Sequence, residues 1–250
     1  MDADHLKRNP PSSPPQPLTD TDLHVWYASL KRPQPELDRL FVLLSPDEKE
    51  RADRFHFERD RNRFIAGRGL LRTLLGDYLE MDASQIQFVY GASGKPALNP
   101  AFHEKALEFN VSHSNDLVAY IFHPSSRVGI DLEYIRPMPD MDDFARQFFS
   151  PRESAFINSL DQKQDAFFKI WTCKEAFFKA SGEGLTVPLD QVEITLTTEG
   201  SARLVSVDGI NEEAVPWHLE TFRPAENYQL SLAVERHNVQ ITIQDMESLQ

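Results

Sequence analysis

Cysteine is nearly absent from this chain. Cys173 stands alone, which excludes an intramolecular disulfide framework and suits a reducing cytoplasm. Its place inside an expected helix points to packing. No apolar run approaches the ~20 residues that a membrane-spanning helix needs; the run from Leu40 to Leu44 is far too short. Residues 1–17 are polar and proline-rich, show no signal-peptide pattern and read as a disordered tail. Basic charge is scarce too. With 26 Lys and Arg against 39 Asp and Glu, the net charge is −13. That balance argues against nucleic acid or an anionic membrane as partner, since both want a basic footprint.

The 250 residues, 40% of them hydrophobic, are enough for one large domain or two small ones. A strand is expected at 23–28 and a helical stretch at 46–79. Ser45-Pro46 suits its start, because serine can cap and proline fits the first helical position. Gly67, Gly69 and Gly76 allow a break or a close approach there. Alternating runs at 86–90, 107–111, 117–122 and 128–134 read as strands. Basic residues concentrate at 46–72, where eight Lys and Arg meet six Asp and Glu. Most of that is a solvated helix face laced with ion pairs. A narrow cluster of this kind also suits a small polyanion.

The pattern then repeats. Ser150-Pro151 follows Ser45-Pro46 by 105 residues, and at that offset Glu48 matches Glu153, Asp60 matches Asp165, and Ile65 matches Ile170. Further strands are expected at 192–197, 204–207, 217–222, 229–234 and 239–243. The order predicts an α+β fold of two similar halves in a pseudo-twofold arrangement, each with a long helix packed on an antiparallel sheet. The expected division is 18–124 and 125–245, with the metal site in the second part. At the same offset Leu70 and Leu74 become Glu175 and Lys179. A glutamate on the apolar stripe of Trp171 and Phe178 is costly unless it has a partner or a task. An i,i+4 ion pair would explain the pairing of Glu175 with Lys179 but not its position.

In Gly129-Ile130-Asp131-Leu132-Glu133 the two carboxylates share one face of a strand and repel unless a positive charge lies between them. With Glu175 they make three hard oxygen donors and no histidine, a set that favours Mg²⁺, with Mn²⁺ possible, over zinc. Magnesium usually keeps waters and takes substrate phosphate oxygens, so a phosphate-bearing substrate is expected. A bare D-x-E is common on solvent-facing strands and would not carry this alone.

Context carries it further. Phe109-Asn110-Val111-Ser112-His113-Ser114 precedes the G-I-D-x-E, and Trp171-Thr172-Cys173-Lys174-Glu175-Ala176-Phe177-Phe178-Lys179 follows it. In this order and spacing the motifs resemble the 4′-phosphopantetheinyl transferase superfamily. The doubled pattern and Gly94-Lys95-Pro96 resemble its long class, which activates nonribosomal peptide and polyketide synthases. The resemblance implies a transferase that moves phosphopantetheine from coenzyme A to a serine of an apo acyl or peptidyl carrier protein, releasing adenosine 3′,5′-bisphosphate. It implies Asp131, Glu133 and Glu175 as metal ligands. Ser112, His113, Lys95, Arg63, Arg51 and Lys179 become coenzyme A contacts. Glu48 stands near a position that is lysine in some relatives, with Lys49 or Arg54 as substitutes for the 3′-phosphate.

Glu175 is the candidate to take the serine proton, and Lys179 the candidate to stabilise charge on the pyrophosphate. A cytoplasmic monomer is expected. Carrier docking is expected on an apolar patch between Phe177 and Leu189. Two other readings stay open on the residues alone: a metal-dependent nuclease or phosphodiesterase, and a coenzyme A- or carrier-binding module without chemistry.

Overall fold

The computed structural model describes residues 6–8, 15–91, 94–101, 106–182, 188–197, 201–211 and 216–249. In the first half come β1 (Leu6–Arg8), β2 (Asp22–Ser29), α1 (Gln34–Leu43), α2 (Pro46–Asp53), α3 (Glu58–Leu79), β3 (Phe88–Tyr90), β4 (Pro96–Leu98), β5 (Glu108–Ser114) and β6 (Leu117–His123). The second half continues with β7 (Val128–Tyr134), α4 (Met141–Phe148), α5 (Pro151–Asn158), α6 (Lys163–Ser181) and β8 (Val192–Leu196). After these come β9 (Ala202–Val207), β10 (Ile210–Asn211), β11 (His218–Phe222), β12 (Tyr228–Val234) and β13 (Gln240–Asp245). The fold class is α+β, and the element order of the first half recurs in the second.

Period-two alternation sorts the side chains into layers. Leu23 and Val25 of β2 join Ile130 and Leu132 of β7 and Leu230 and Leu232 of β12 in a core between two sheets. From the opposite face of the first sheet, Trp26, Tyr120 and Phe122 pack with Leu70, Leu71 and Leu74 of α3. Ala233 on the far face of the second sheet packs with Ala176 and Phe177 of α6. The order is helix, sheet, sheet, helix. The first sheet runs β1-β13-β2-β6-β5 and the second β11-β12-β7.

Three features depart from expectation. The helical stretch at 46–79 is interrupted between α2 and α3, and α1 and α4 precede the capped helices. The Leu40 to Leu44 run forms the end of α1 and its C-cap, Leu44, and α1 buries Leu37 and Leu40. Gly69 lets α1 lie close, because a Cβ there would meet Leu40 Cβ at 2.6 Å. Second, residues 240–245, counted with the second half, return to the first sheet: β13 pairs parallel with β2, Ile241 opposite Leu23. That sheet is mixed, not purely antiparallel. Third, Leu6–Arg8, inside the expected tail, pairs parallel with β13.

The 105-residue echo has a buried counterpart. Glu48 caps the N–H of Ser45 at 3.0 Å and accepts Arg72 Nε at 2.6 Å. Arg72 also donates to the carbonyls of Ala83 and Ile86. In the second half Glu153 caps Ser150 at 2.7 Å and pairs with Lys174 at 2.8 Å. Lys174 donates to the carbonyls of Leu189 and Val192, each 106 residues after its first-half counterpart. The cation comes from one helical turn earlier, yet it joins the same three elements. All four side chains are buried. Removing one partner of such a pair typically costs about 3–5 kcal/mol. Glu48 is therefore a structural residue turned into the core, not part of a 3′-phosphate site.

Candidate active site

Gly129 decides how closely the two second-half motifs meet. A Cβ at this position would lie 2.0 Å from the Ala176 carbonyl oxygen and 2.5 Å from Ala180 N. Without one, β7 lies against the backbone of α6, and Asp131 and Glu133 face the turn that carries Glu175 and Lys179. Ile130 and Leu132 point the other way into the core between the sheets.

The Phe109–Ser114 motif supplies the opposite wall and holds the halves together. Alternate side chains of β5 take the N–H groups of β7 that no neighbouring strand accepts. Asn110 Oδ1 accepts Ile130 N at 3.0 Å, Ser112 Oγ accepts Leu132 N at 3.2 Å, and Ser114 Oγ accepts Tyr134 N at 3.0 Å. The two serines also donate to carboxylates, Ser112 to Asp131 Oδ1 at 3.1 Å and Ser114 to Glu133 Oε2 at 2.8 Å. This ladder ties F-N-x-S-H-S to G-I-D-x-E.

Lys179 Nζ sits 2.6 Å from Asp131 Oδ1 and 3.0 Å from Ser112 Oγ. The second oxygen of Asp131 is buried without a hydrogen-bond partner. Glu133 is raised above the usual carboxylate range by burial and by the charge of Asp131, against the Ser114 hydrogen bond. Glu175 is raised by burial and by the same charge, with Lys179 opposing. Asp131 is buried with an orphaned oxygen, Glu133 and Glu175 are half-buried beside it, and a donor set of this chemistry suits a hard divalent cation. Among the described residues no three such groups close into a cage as they stand.

From this wall opens a cleft of about 1010 Å³, lined in part by Glu133, Glu175, Lys179, His113, Lys95 and Arg51. Arg63 lines it too. Ser112 and Asp131 lie buried behind it. The expected site residues thus come together, but two are engaged in ways the sequence did not suggest. Arg63 pairs with Asp116 and reaches Asn115 Oδ1 at 3.2 Å. Lys95 donates to the carbonyls of Lys179 at 2.7 Å and Val128 at 3.2 Å. It bridges the halves at the end of α6, and burial holds its ammonium below the ordinary lysine value. Arg51 lies over the Phe64 ring at 5.1 Å. His113 keeps an exposed side chain on the cleft lining, and crowding by the surrounding protein with the charges of Lys179, Arg63 and Arg51 holds it below the ordinary imidazole value.

Sequence reasoning missed Phe55 and Phe64, which line the cleft beside Arg51 with ring centroids 5.5 Å apart. Phe55 lies in the break between α2 and α3, outside any helical period, and Phe64 stands in the second turn of α3 among charged residues. It also left Lys174 without a role, although the matched Glu48 and Glu153, each three residues after a Ser-Pro start, were a capping signal. Of the expected docking patch, Phe177 is buried against Trp217 and Leu189 is buried as well, while 183–187 lie outside the described residues. Cys173 is buried, as a packing role requires, and burial pushes its thiol up to about 12.

Comparison with known proteins gives the family. Residues 127–233 match the family described as the 4′-phosphopantetheinyl transferase superfamily, and residues 30–125 match the 4′-phosphopantetheinyl transferase N-terminal family. The 4′-phosphopantetheinyl transferase HetI of Nostoc sp. is 41% identical over 90% of this chain and 92% of its own. A 4′-phosphopantetheinyl transferase of Bacillus subtilis is 32% identical over 79% of this chain and 84% of its own. The enzyme Sfp of Bacillus subtilis strain 168 is 30% identical over 84% and 91%. Motif order, inter-half ladder and full-length similarity converge, and the chain belongs to the 4′-phosphopantetheinyl transferase superfamily, in its long, two-half class.

Proposed function

We propose that Asp131, Glu133 and Glu175 hold a divalent cation, Mg²⁺ in preference to Mn²⁺, at the floor of the cleft where this transferase works. The chain is a 4′-phosphopantetheinyl transferase. It moves the phosphopantetheine arm of coenzyme A onto a serine of a carrier protein. The observation that carries the metal reading is the buried, unpartnered oxygen of Asp131 among three carboxylates. When bound, the cation would neutralise pyrophosphate charge and act as a Lewis acid.

The chain's own residues account for the remaining steps. Lys179, anchored on Asp131 and Ser112, presents an ammonium to the phosphate being transferred. Glu175 lines the cleft beside Lys179, which places it to take the proton of the incoming serine. His113 and Arg51 place donors along the cleft for phosphate oxygens, and Lys95 fixes the wall against which the nucleotide lies. Arg51 and Phe64 form a stacked edge suited to the nucleotide end. Adenosine 3′,5′-bisphosphate leaves as the serine oxygen attacks the β-phosphate, and positioning with charge neutralisation supplies most of the acceleration.

Both walls come from one chain, so a monomer suffices for a complete site. The single buried cysteine fits a cytoplasmic setting. No helix among the described residues is long and apolar enough to cross a membrane. The nuclease reading and the reading without chemistry are set aside by full-length similarity to transferases. The test is the intact mass of an apo carrier protein after incubation with the enzyme, coenzyme A and Mg²⁺. The carrier gains one phosphopantetheine; an unchanged mass would count against the reading.

A further inference from the structure

Ser114 has one hydroxyl proton and two neighbours on β7. Its oxygen accepts the N–H of Tyr134 at 3.0 Å, and its proton is directed to Glu133 Oε2 at 2.8 Å. The Tyr134 N–H can only donate, so the O–H is left for the carboxylate. Two residues earlier, Ser112 treats Asp131 in the same way while accepting the N–H of Leu132. A strand places residues two apart on one face, so each serine meets the carboxylate opposite it.

We propose that Ser114 is a positioning residue for the cation site. It holds one oxygen of Glu133 against the backbone of β7 and leaves the other for the metal. The inference rests on reading Asp131, Glu133 and Glu175 as ligands. A carboxylate hinged only at its own Cβ and Cγ would swing away from Asp131, whose charge repels it. The Ser114 bond opposes that swing through a group fixed at both ends. Hydrogen-bond partners of this kind typically govern about 10–100-fold in metal affinity.

The test compares Ser114→Val with Ser114→Thr in the full-length protein. The two side chains share a branched shape, and only threonine keeps the hydroxyl. Ser114→Ala replaces the valine variant if that one fails to fold. Free Mn²⁺ is counted by electron paramagnetic resonance during titration of each protein with Mn²⁺ alone. The valine or alanine variant should bind about ten-fold more weakly than wild type, and the threonine variant close to wild type. The Mg²⁺ concentration for half-maximal transfer should rise in parallel, with activity recovering at high Mg²⁺, as a purely structural lesion would not. Equal Mn²⁺ affinity in all three proteins would remove Ser114 from this role and leave the metal reading standing. No Mn²⁺ uptake by the wild-type protein would overturn both.

Discussion

Lys179 donates to Asp131 Oδ1 at 2.6 Å while the other oxygen of the same carboxylate has no partner. Half of Asp131 is thus satisfied within the chain, and half is left for something positive from outside. If that is a cation, Asp131→Ala and Glu133→Ala should each lower kcat/KM by about 10³-fold. That corresponds to the several kcal/mol of charge stabilisation a metal supplies. Neither should unfold the protein, because each also relieves repulsion among three carboxylates. Steady-state transfer at saturating coenzyme A, beside thermal melts, checks both halves of this expectation. Turnover near that of wild type in either variant would show the site to be misplaced.

Glu175 separates function from stability. Its first-half counterpart is Leu70, buried with Leu71 and Leu74. Glu175→Leu should abolish transfer while holding or raising Tm by up to about 4 °C, since apolar burial of this size is worth about 1 kcal/mol. A variant that melts well below wild type would mean that Glu175 supports the fold.

Gly129→Ala should do the reverse and damage both. The added carbon has nowhere to go between β7 and α6, with the Ala176 carbonyl oxygen 2.0 Å away. Overpacking of this kind costs about 1–3 kcal/mol or more. Any shift of α6 also carries Glu175 and Lys179 away from Asp131. Denaturant unfolding and transfer assays should fall together. Unchanged values for both would contradict the close approach.

The nucleotide end calls for a split result. Arg51→Ala should mainly raise the KM for coenzyme A and leave the melting temperature alone. Its penalty should shrink with dephospho-coenzyme A, which lacks the 3′-phosphate. Arg63→Ala should also lower stability, because Arg63 pairs with Asp116 in the turn after β5. Asp116 in turn accepts hydrogen bonds from Arg63 and Lys31, and these outweigh burial to hold its carboxyl below the usual range. A melting temperature untouched by Arg63→Ala would remove that support role.

Acid should weaken the first half through His24. Its Nδ1 lies 2.8 Å from the Tyr78 hydroxyl, which also accepts Trp26 Nε1 at 2.8 Å. His24 and the Tyr78 hydroxyl thus share one hydrogen bond in a part-buried cluster. Burial lowers His24 below its ordinary value, with Asp22 opposing. The folded protein then binds fewer protons than the unfolded chain between the two pKa values. This stability is fully present above about pH 6.5 and is lost as pH falls from there toward the lowered folded value. The melting temperature should drop between pH 7.5 and pH 5.5, and less so for His24→Gln. An equal drop in both proteins would clear His24 of the effect.

What the sequence disclosed follows from locality. Asp131 and Glu133 share a strand face, Glu175 and Lys179 share a helix face, and both periodicities are readable without a fold. The 105-residue echo located the starts of α2 and α5 because capping chemistry is local too. What stayed hidden depends on distant pairing. Nothing near residue 241 announces a strand partner at Leu23. Ser114 has no role in the motif until β7 lies beside it. Sequence places Glu48 near the 3′-phosphate because its partner Arg72 is 24 residues away, and only the packing of α2 on α3 brings them together.

The most direct test of the central claim is the intact mass of an apo carrier protein incubated with coenzyme A and metal-stripped enzyme. One arm contains EDTA, a second Mg²⁺, and a third Mg²⁺ added back after EDTA. The account predicts no mass gain in the first arm and full conversion to the phosphopantetheinylated form in the other two. Full conversion in EDTA would contradict it, and Asp131, Glu133 and Glu175 would then need another explanation.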